Sequence, residues 1–138
     1  MTSAEYGNRF KRQLKTAMAE SELQQGVFAA LLSLEVHGQN LVVAHIPNEG
    51  RRSPRQGMRM RREGLRRGAP DLVVWLRGGK TLNIELKTVR GKLSSSQASF
   101  GRGLNSLGGH EYVVVFAAGV KEALDEILPK ITEMLSLD

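Results

Sequence analysis

An aspartate, a glutamate and a lysine of this sequence can be brought together by two neighbouring strands. Glu85 and Lys87 are two residues apart in an alternating segment, so their side chains point to the same face of the strand that this alternation predicts. Asp71 directly follows Pro70 at the start of an apolar segment, which is predicted to pair with that strand in an antiparallel hairpin. Two carboxylates and an ammonium therefore converge, although a surface hairpin with one ion pair would show the same pattern.

The composition limits what such a cluster could bind. The chain of 138 residues contains no cysteine, which excludes disulfides, cysteine nucleophiles and thiolate zinc sites. The histidines, His37, His45 and His110, lie too far apart for a short metal-binding motif, and His45 is expected to pack or cap rather than act as a base. Any metal would therefore be held by oxygen. No apolar run approaches the roughly 20 residues of a membrane span, and residues 1–15 lack the apolar part of a signal peptide, so we expect a soluble, cytoplasmic protein.

Basic residues are concentrated in one segment, residues 51–67. The formal net charge of the chain is +6, yet eight arginines opposed only by Glu63 give this segment +7. The eight are Arg51, Arg52, Arg55, Arg59, Arg61, Arg62, Arg66 and Arg67. Guanidinium groups bind phosphate oxygens in a bidentate geometry, so nucleic acid is the expected partner. A merely solvated helix face or loop is the alternative that charge alone leaves open.

Length and periodicity predict a single domain over residues 1–138. A first amphipathic helix is predicted within residues 1–20, where apolar side chains recur at every fourth position: Tyr6, Phe10, Leu14 and Met18. A second helix is predicted to begin with a capping box of Ser21 and Gln24 and to end near Gly38. Its expected buried stripe consists of Leu23, Val27, Leu31 and Leu34.

The remaining sequence alternates between short apolar strands and helices. Strands are predicted over residues 41–46, 72–76, 81–87 and 112–116, and helices over 56–67, 95–107 and 120–137. Trp75, in an all-apolar strand, is expected in the core, and Pro129 is expected to kink the last helix. The resulting order, ααβ(α)ββαβα, predicts an α/β fold with a mixed sheet flanked by helices.

Several blocks of the sequence resemble a nuclease family. Pro70-Asp71, followed fourteen positions later by Glu85-Leu86-Lys87, resembles the PD-(D/E)xK nuclease signature. The blocks at residues 47–50, 64–72, 84–87 and 93–97 resemble, in order and spacing, the VRR-NUC branch of that superfamily. The resemblance spans residue 21 to about residue 116 and implies a restriction-endonuclease-like fold.

The resemblance also implies a metal site. It implies that Asp71 and Glu85 ligate Mg²⁺ or Mn²⁺, with the Leu86 carbonyl as a further ligand. It also implies that Lys87 lies beside the attacking water. Hydrolysis of a phosphodiester requires neutralisation of the anion and hydroxide near neutral pH, and a hard cation on carboxylate oxygens provides both.

Three more residues match the family but have structural interpretations as well. The family places an acid on the helix before the first strand, where Glu22 fits and Glu20 is the alternative; an acid there would also favour the helix dipole. Gln97 matches a glutamine that supports the active site, yet Ser94 and Gln97 also form a capping-box pattern. Asn48 could face DNA or the metal, but it is equally a turn residue.

The length of the hairpin loop constrains the site. A two-residue loop at Gly78 and Gly79 would pair Asp71 with Leu86, and this would put Asp71 on the face opposite Glu85. The site therefore requires an odd loop, a bulge, or a bend at Asp71.

Two functions are consistent with the sequence. The first is a metal-dependent DNA endonuclease of the stand-alone phage or bacterial type, which the resemblance associates with homodimers and with four-way or other branched DNA. Residues 1–20 would then form the dimerisation arm; the alternative is that this helix folds back on its own domain. The second is a non-catalytic nucleic-acid-binding module that uses segment 51–67. Intact Asp71, Glu85 and Lys87 favour the enzyme. Buried acids repel each other when no metal is bound, so a member of the family without activity would be expected to have lost one of them.

Overall fold

A mixed four-stranded sheet lies at the centre of the part of the chain that the structure describes. The structure is a computed structural model, and it describes residues 2–3, 18–47 and 53–137. In chain order the elements are α1 (Glu20–Val36), β1 (Leu41–His45), α2 (Pro54–Arg62), β2 (Leu72–Leu76), β3 (Lys80–Lys87), α3 (Ser95–Asn105), β4 (His110–Phe116) and α4 (Val120–Ser136). This order is the one predicted from the second helix onward. The predicted first helix, with Tyr6, Phe10 and Leu14, lies outside the described residues.

The strands are ordered β1-β2-β3-β4 in the sheet. The pairs β1/β2 and β2/β3 are antiparallel, and β3/β4 is parallel. Alternate strand residues form an apolar face that α1 and α4 cover, and this face contains the core. Its fully buried members include Leu23, Val27, Leu31, Leu72, Val74, Leu82, Ile84, Leu86 and Ile127. The predicted α/β fold with a mixed sheet flanked by helices is confirmed.

The starts of two helices differ from prediction. Helix α1 begins at Glu20 and has no side-chain cap, so the predicted capping box of Ser21 and Gln24 is wrong. Helix α2 begins at Pro54, two residues before its predicted start, and its capping box is formed by Ser53 and Gln56. Because Ser21 already lies inside the first turn of α1, its hydroxyl is not available to cap it; it accepts a hydrogen bond from a glutamine side chain one turn later. None of the described helices is long and apolar enough to cross a bilayer.

The turn between β2 and β3 sets the register of the site. The last pair before the turn is Leu76 with Lys80, so the turn contains three residues, 77–79. The same register pairs Leu72 with Ile84 at the other end of β2, and its next position outward is Asp71 opposite Glu85. The odd loop that the site requires is therefore present.

Trp75 is 46% exposed, so the prediction of a core position for it is wrong. It pairs with Val42 on one side and Thr81 on the other, on the sheet face opposite the core. Within the described residues, helix α3 packs on this second face, but it does so against β4. Val42 and Trp75, on the two strands farthest from β4, consequently remain exposed there.

Candidate active site

Asp71 directly precedes β2, and the β2/β3 register continued by one position beyond the pair of Leu72 with Ile84 places it opposite Glu85, at the end of the sheet farthest from the β2–β3 turn. Both are buried, with 5% and 1% of their surface exposed. The Leu86 amide donates to Asp71 Oδ2 at 2.8 Å, and the Ile46 amide donates to the Asp71 carbonyl at 2.9 Å. His45 Nδ1 also donates to this carbonyl, at 2.7 Å, which is a capping role such as was expected for it. Asp71 is therefore fixed by both neighbouring strands.

Lys87 provides the positive charge beside the two carboxylates. Its Nζ lies 3.6 Å from Glu85 Oε1, and its side chain is only 13% exposed. The same Nζ lies 4.0 Å from Glu20 Oε1, in the first turn of α1. Buried carboxylates require such cations and hydrogen-bond donors nearby, because desolvation otherwise disfavours their charged form. Lys87 thus connects the strand acids to the helix.

The helix acid at this cluster is Glu20 and not Glu22. Glu22 is exposed. Glu20 lies three residues before Leu23, so it continues the buried stripe of Leu23 and Val27 by one more turn, whereas Glu22 is about 100° away around the helix from Leu23. Extending the apolar stripe backwards would have identified Glu20 in the sequence. Of the two acids that the sequence offered, the structure therefore places Glu20 beside Lys87 and leaves Glu22 exposed.

Gln97 combines the two interpretations that the sequence left open. Its Oε1 accepts a hydrogen bond from the Ser94 amide at 2.9 Å, and the Ser94 hydroxyl accepts one from the Gln97 amide at 3.1 Å, which completes a capping box at the start of α3. Its Nε2 donates to Glu85 Oε1 at 2.6 Å. One side chain therefore both caps α3 and orients a carboxylate of the cluster.

The acids open into a cavity of about 280 Å³. Its lining comprises Arg67, Gly68, Ala69, Asp71, Glu85, Ser94, Ser96 and Gln97. A guanidinium, two carboxylates and hydroxyl groups thus surround one solvent-connected space. Such a mixture of charges suits an anionic substrate that is bound together with a cation.

The loop before Asp71 is anchored on the opposite wall of this cavity. Gly68 has φ +89°, and its backbone lies against the backbone of Ser96 and Gln97 so closely that a Cβ there would overlap the Ser96 carbonyl. The Tyr112 hydroxyl donates to the Gly68 carbonyl at 3.3 Å. Burial raises the pKa of Tyr112 far above its usual range, and the negative charges of Glu85 and Asp71 raise it further, so the phenol stays protonated as a donor. Sequence reasoning missed Tyr112, since its partner is 44 residues away.

The arginines of segment 51–67 fall into separate groups. Four lie on α2, none of whose residues is buried: Arg55, Arg59, Arg61 and Arg62. Arg59 forms an exposed ion pair with Glu63 at 3.0 Å. Arg66 lies over the ring of Phe100, 5.0 Å from its centre, and Arg67 lines the cavity. The remaining residues expected to bind DNA, Asn48, Arg51 and Arg52, lie outside the described residues.

The donor atoms at the cavity suit a hard divalent cation. Within the described ranges, no three Asp, Glu or His side chains are close enough to hold a metal by themselves. Asp71 and Glu85 nevertheless supply two carboxylates, and the Leu86 carbonyl faces the same strand edge as the Leu86 amide that contacts Asp71. Mg²⁺ typically takes only one or two carboxylates and completes its coordination with water and substrate oxygens. These residues therefore fit such an ion.

Comparison with known proteins agrees with this architecture. No curated protein gives a significant match to the chain. A solved structure described as a VRR_NUC domain aligns with a TM-score of 0.50 at 22% identity, covering 80% of this chain and 94% of its own, which supports the shared fold. The family profile of the VRR-NUC domain matches residues 11–118, most of the chain. With the fold, the sequence blocks and this profile in agreement, the chain belongs to the VRR-NUC family of nuclease domains.

Proposed function

We propose that this protein is a divalent-metal-dependent DNA endonuclease, active with Mg²⁺ or Mn²⁺. Membership of a nuclease family implies a DNA-processing function. The observation that carries the finer proposal is that two buried carboxylates, Asp71 and Glu85, line one cavity, with Lys87 3.6 Å from Glu85. Two buried acids at one open cavity are costly for folding alone, so a catalytic use is the better explanation for them.

In this proposal the reaction is hydrolysis of one phosphodiester bond. A new P–O bond forms to the oxygen of water, one P–O bond to a deoxyribose oxygen breaks, and the leaving oxygen ends protonated. When bound, the divalent cation neutralises phosphate charge and makes hydroxide available near neutral pH. Asp71, Glu85 and the Leu86 carbonyl would hold the cation, and Gln97 keeps Glu85 oriented through its 2.6 Å hydrogen bond.

Lys87 and Glu20 complete the proposed site. The Lys87 ammonium orients the attacking water by hydrogen bonding or offsets the charge that develops on the phosphate. Glu20, 4.0 Å from Lys87, holds this ammonium at the edge of the cluster from the side of α1. The contact of Glu20 with Lys87 supports Glu20 over Glu22 for this role.

The function is tested with the full chain and a panel of labelled duplex, flap, splayed and four-way DNA. We expect cleavage with Mg²⁺ or Mn²⁺ and none with EDTA. A Lys87→Ala variant analysed in parallel identifies contaminating nucleases, since it should bind DNA without cutting it. DNA binding without cleavage by the wild-type chain under all conditions would refute the enzyme and favour a non-catalytic nucleic-acid-binding module.

The arginines of α2 are proposed to bind the DNA backbone. Replacing Arg59, Arg61 and Arg62 together by glutamine should weaken binding to all sequences alike, because the phosphate contacts proposed for them carry no sequence information. The slope of log affinity against log salt concentration is negative, and each lost phosphate contact reduces its magnitude by about 0.9. The magnitude should therefore decrease by about 2–3. Fluorescence anisotropy titrations over a range of salt concentrations measure both quantities.

The control for this prediction removes positive charge elsewhere, at Arg77 and Lys121, which are exposed and outside α2. We expect a smaller change of slope for this control. A loss of affinity confined to particular DNA sequences would contradict the proposal, since it would indicate base recognition.

We further propose that the enzyme acts as a homodimer and prefers four-way junctions or other branched DNA. The apolar side chains of Tyr6, Phe10 and Leu14 support this proposal, because such a stripe requires burial. The fourth member of the stripe, Met18, packs against the core of its own domain. A two-fold dimer would present two sites related by symmetry, as paired cuts on opposing strands require. Phe10→Glu with Leu14→Glu should therefore convert a dimer to a monomer in light scattering and abolish paired junction cuts. A monomeric wild-type chain at micromolar concentration would contradict this proposal.

A further inference from the structure

Arg67 differs in its position from the other described arginines of segment 51–67. It lines the same cavity as Asp71 and Glu85. The arginines of α2 lie on an exposed helix without a buried residue, and Arg66 lies over Phe100. A run that looks uniform in the sequence therefore contains one arginine that borders the acid cavity.

The backbone of Arg67 is held in place by its two neighbours. On one side, the Arg66 guanidinium lies 5.0 Å from the centre of the Phe100 ring. On the other side, Gly68 packs against the backbone of Ser96, and its carbonyl accepts a hydrogen bond from Tyr112. The origin of the Arg67 side chain is thus fixed at the cavity wall, and such preorganisation lowers the entropy cost of binding a ligand there.

The chemistry of the cavity indicates which ligand Arg67 would bind. Asp71 and Glu85 would hold a cation here, and a phosphodiester bound at the same cavity presents two non-bridging oxygens that share its negative charge. Donors aimed at these oxygens in the geometry of the transition state stabilise it. A guanidinium matches two such oxygens with parallel N–H donors, which a single ammonium cannot do. Lys87, which forms ion pairs with Glu85 and Glu20, supplies a single ammonium and therefore cannot make this paired contact.

We infer that Arg67 is a catalytic residue that binds the phosphate group being cleaved, while the arginines of α2 bind flanking phosphates. This inference rests on the proposed nuclease function. It assigns to Arg67 an interaction that strengthens in the transition state, so its loss affects the rate of cleavage more than the affinity for DNA.

The test measures single-turnover cleavage at saturating protein, together with DNA affinity by anisotropy without cleavage in Ca²⁺. Arg67→Gln should lower the maximal rate by about 100-fold, the size of effect seen when one donor to a developing oxyanion is removed, and weaken affinity by less than about tenfold. Arg67→Lys should recover part of the rate, because it restores the charge but not the two parallel donors. Arg77→Gln, which removes an exposed arginine from the β2–β3 turn at the other end of the sheet, should leave rate and affinity unchanged.

The outcomes separate this inference from the function on which it rests. A wild-type maximal rate for Arg67→Gln in an active preparation would overturn the inference alone. Weaker binding with a normal maximal rate would also overturn it, since Arg67 would then act like the arginines of α2. Absence of cleavage by the wild-type chain on every substrate would overturn the proposed function, and the inference with it. Melting curves of both Arg67 variants test whether they remain folded. Because Arg67 is exposed, we expect melting temperatures equal to that of the wild type.

Discussion

Glu85→Gln is expected to lower DNA cleavage by at least about 1,000-fold, which corresponds to several kcal/mol of lost transition-state stabilisation. Glutamine has nearly the shape of glutamate and can still accept the hydrogen bond from Gln97, so the fold should be retained. It lacks the negative charge with which Glu85 would hold a cation opposite Asp71. Asp71→Asn should have a comparable effect for the same reason. Single-turnover rates in Mg²⁺ and Mn²⁺, with circular dichroism of each variant, check this result.

Glu111→Gln is the matched control for this prediction. Glu111 undergoes the same chemical change on the neighbouring strand β4, where it forms an ion pair with Lys130 at 2.7 Å and does not line the cavity. We expect cleavage close to the wild-type rate for this variant. Substantial cutting by Glu85→Gln would eliminate the proposed site, whatever the control shows.

Gly68→Ala is expected to destabilise the protein by about 3 kcal/mol or more and to reduce cleavage together with stability. A non-glycine residue at a positive φ costs about 1–3 kcal/mol, and φ here is +89°. The added Cβ would also overlap the Ser96 carbonyl and lie 2.8 Å from the Gln97 nitrogen, so the loop and α3 would have to move apart. Overpacking of this kind costs about another 1–3 kcal/mol. For a domain of this size, a loss of about 3 kcal/mol lowers the melting temperature by about 10 °C.

Gly64→Ala separates the two causes. Gly64 also has a positive φ, +106°, but an added Cβ would meet no atom within 4 Å. This variant should therefore lose about 1–3 kcal/mol of stability from backbone strain alone, and it should retain cleavage at temperatures where it is folded. Equal melting temperatures for the two variants would show that the contact between Gly68 and α3 contributes little.

The order of elements and the faces of the strands could be predicted because they depend on local periodicity. The alternation around Glu85 and Lys87 put both side chains on one face, and the requirement for an odd loop placed Asp71 correctly once the turn had three residues. Glu20 was predictable in principle from the stripe that contains Leu23, but an N-terminal helix acid satisfies the dipole equally well at either position.

The exposed position of Trp75 and the role of Tyr112 depend on neighbours that are distant in sequence. Trp75 lies in an apolar strand that is central in the sheet, yet α3 covers the second face at β4 and leaves the indole exposed among the described residues. Tyr112 contacts a carbonyl 44 residues away, so no local pattern indicates its role. Packing between elements decides both positions, and hydrophobic periodicity does not contain that information.

Gln97 couples the first turn of α3 to the orientation of the Glu85 carboxylate, so that the two form one cooperative unit. Fraying of the first turn of α3 breaks the capping box with Ser94, and the same movement withdraws the donor from Glu85. Local opening of this turn and disorder of the acid pair are therefore linked equilibria, with a shared free energy. By reciprocity, any ligand that requires Glu85 in this orientation also protects the amide hydrogens of the first turn of α3 from exchange with solvent.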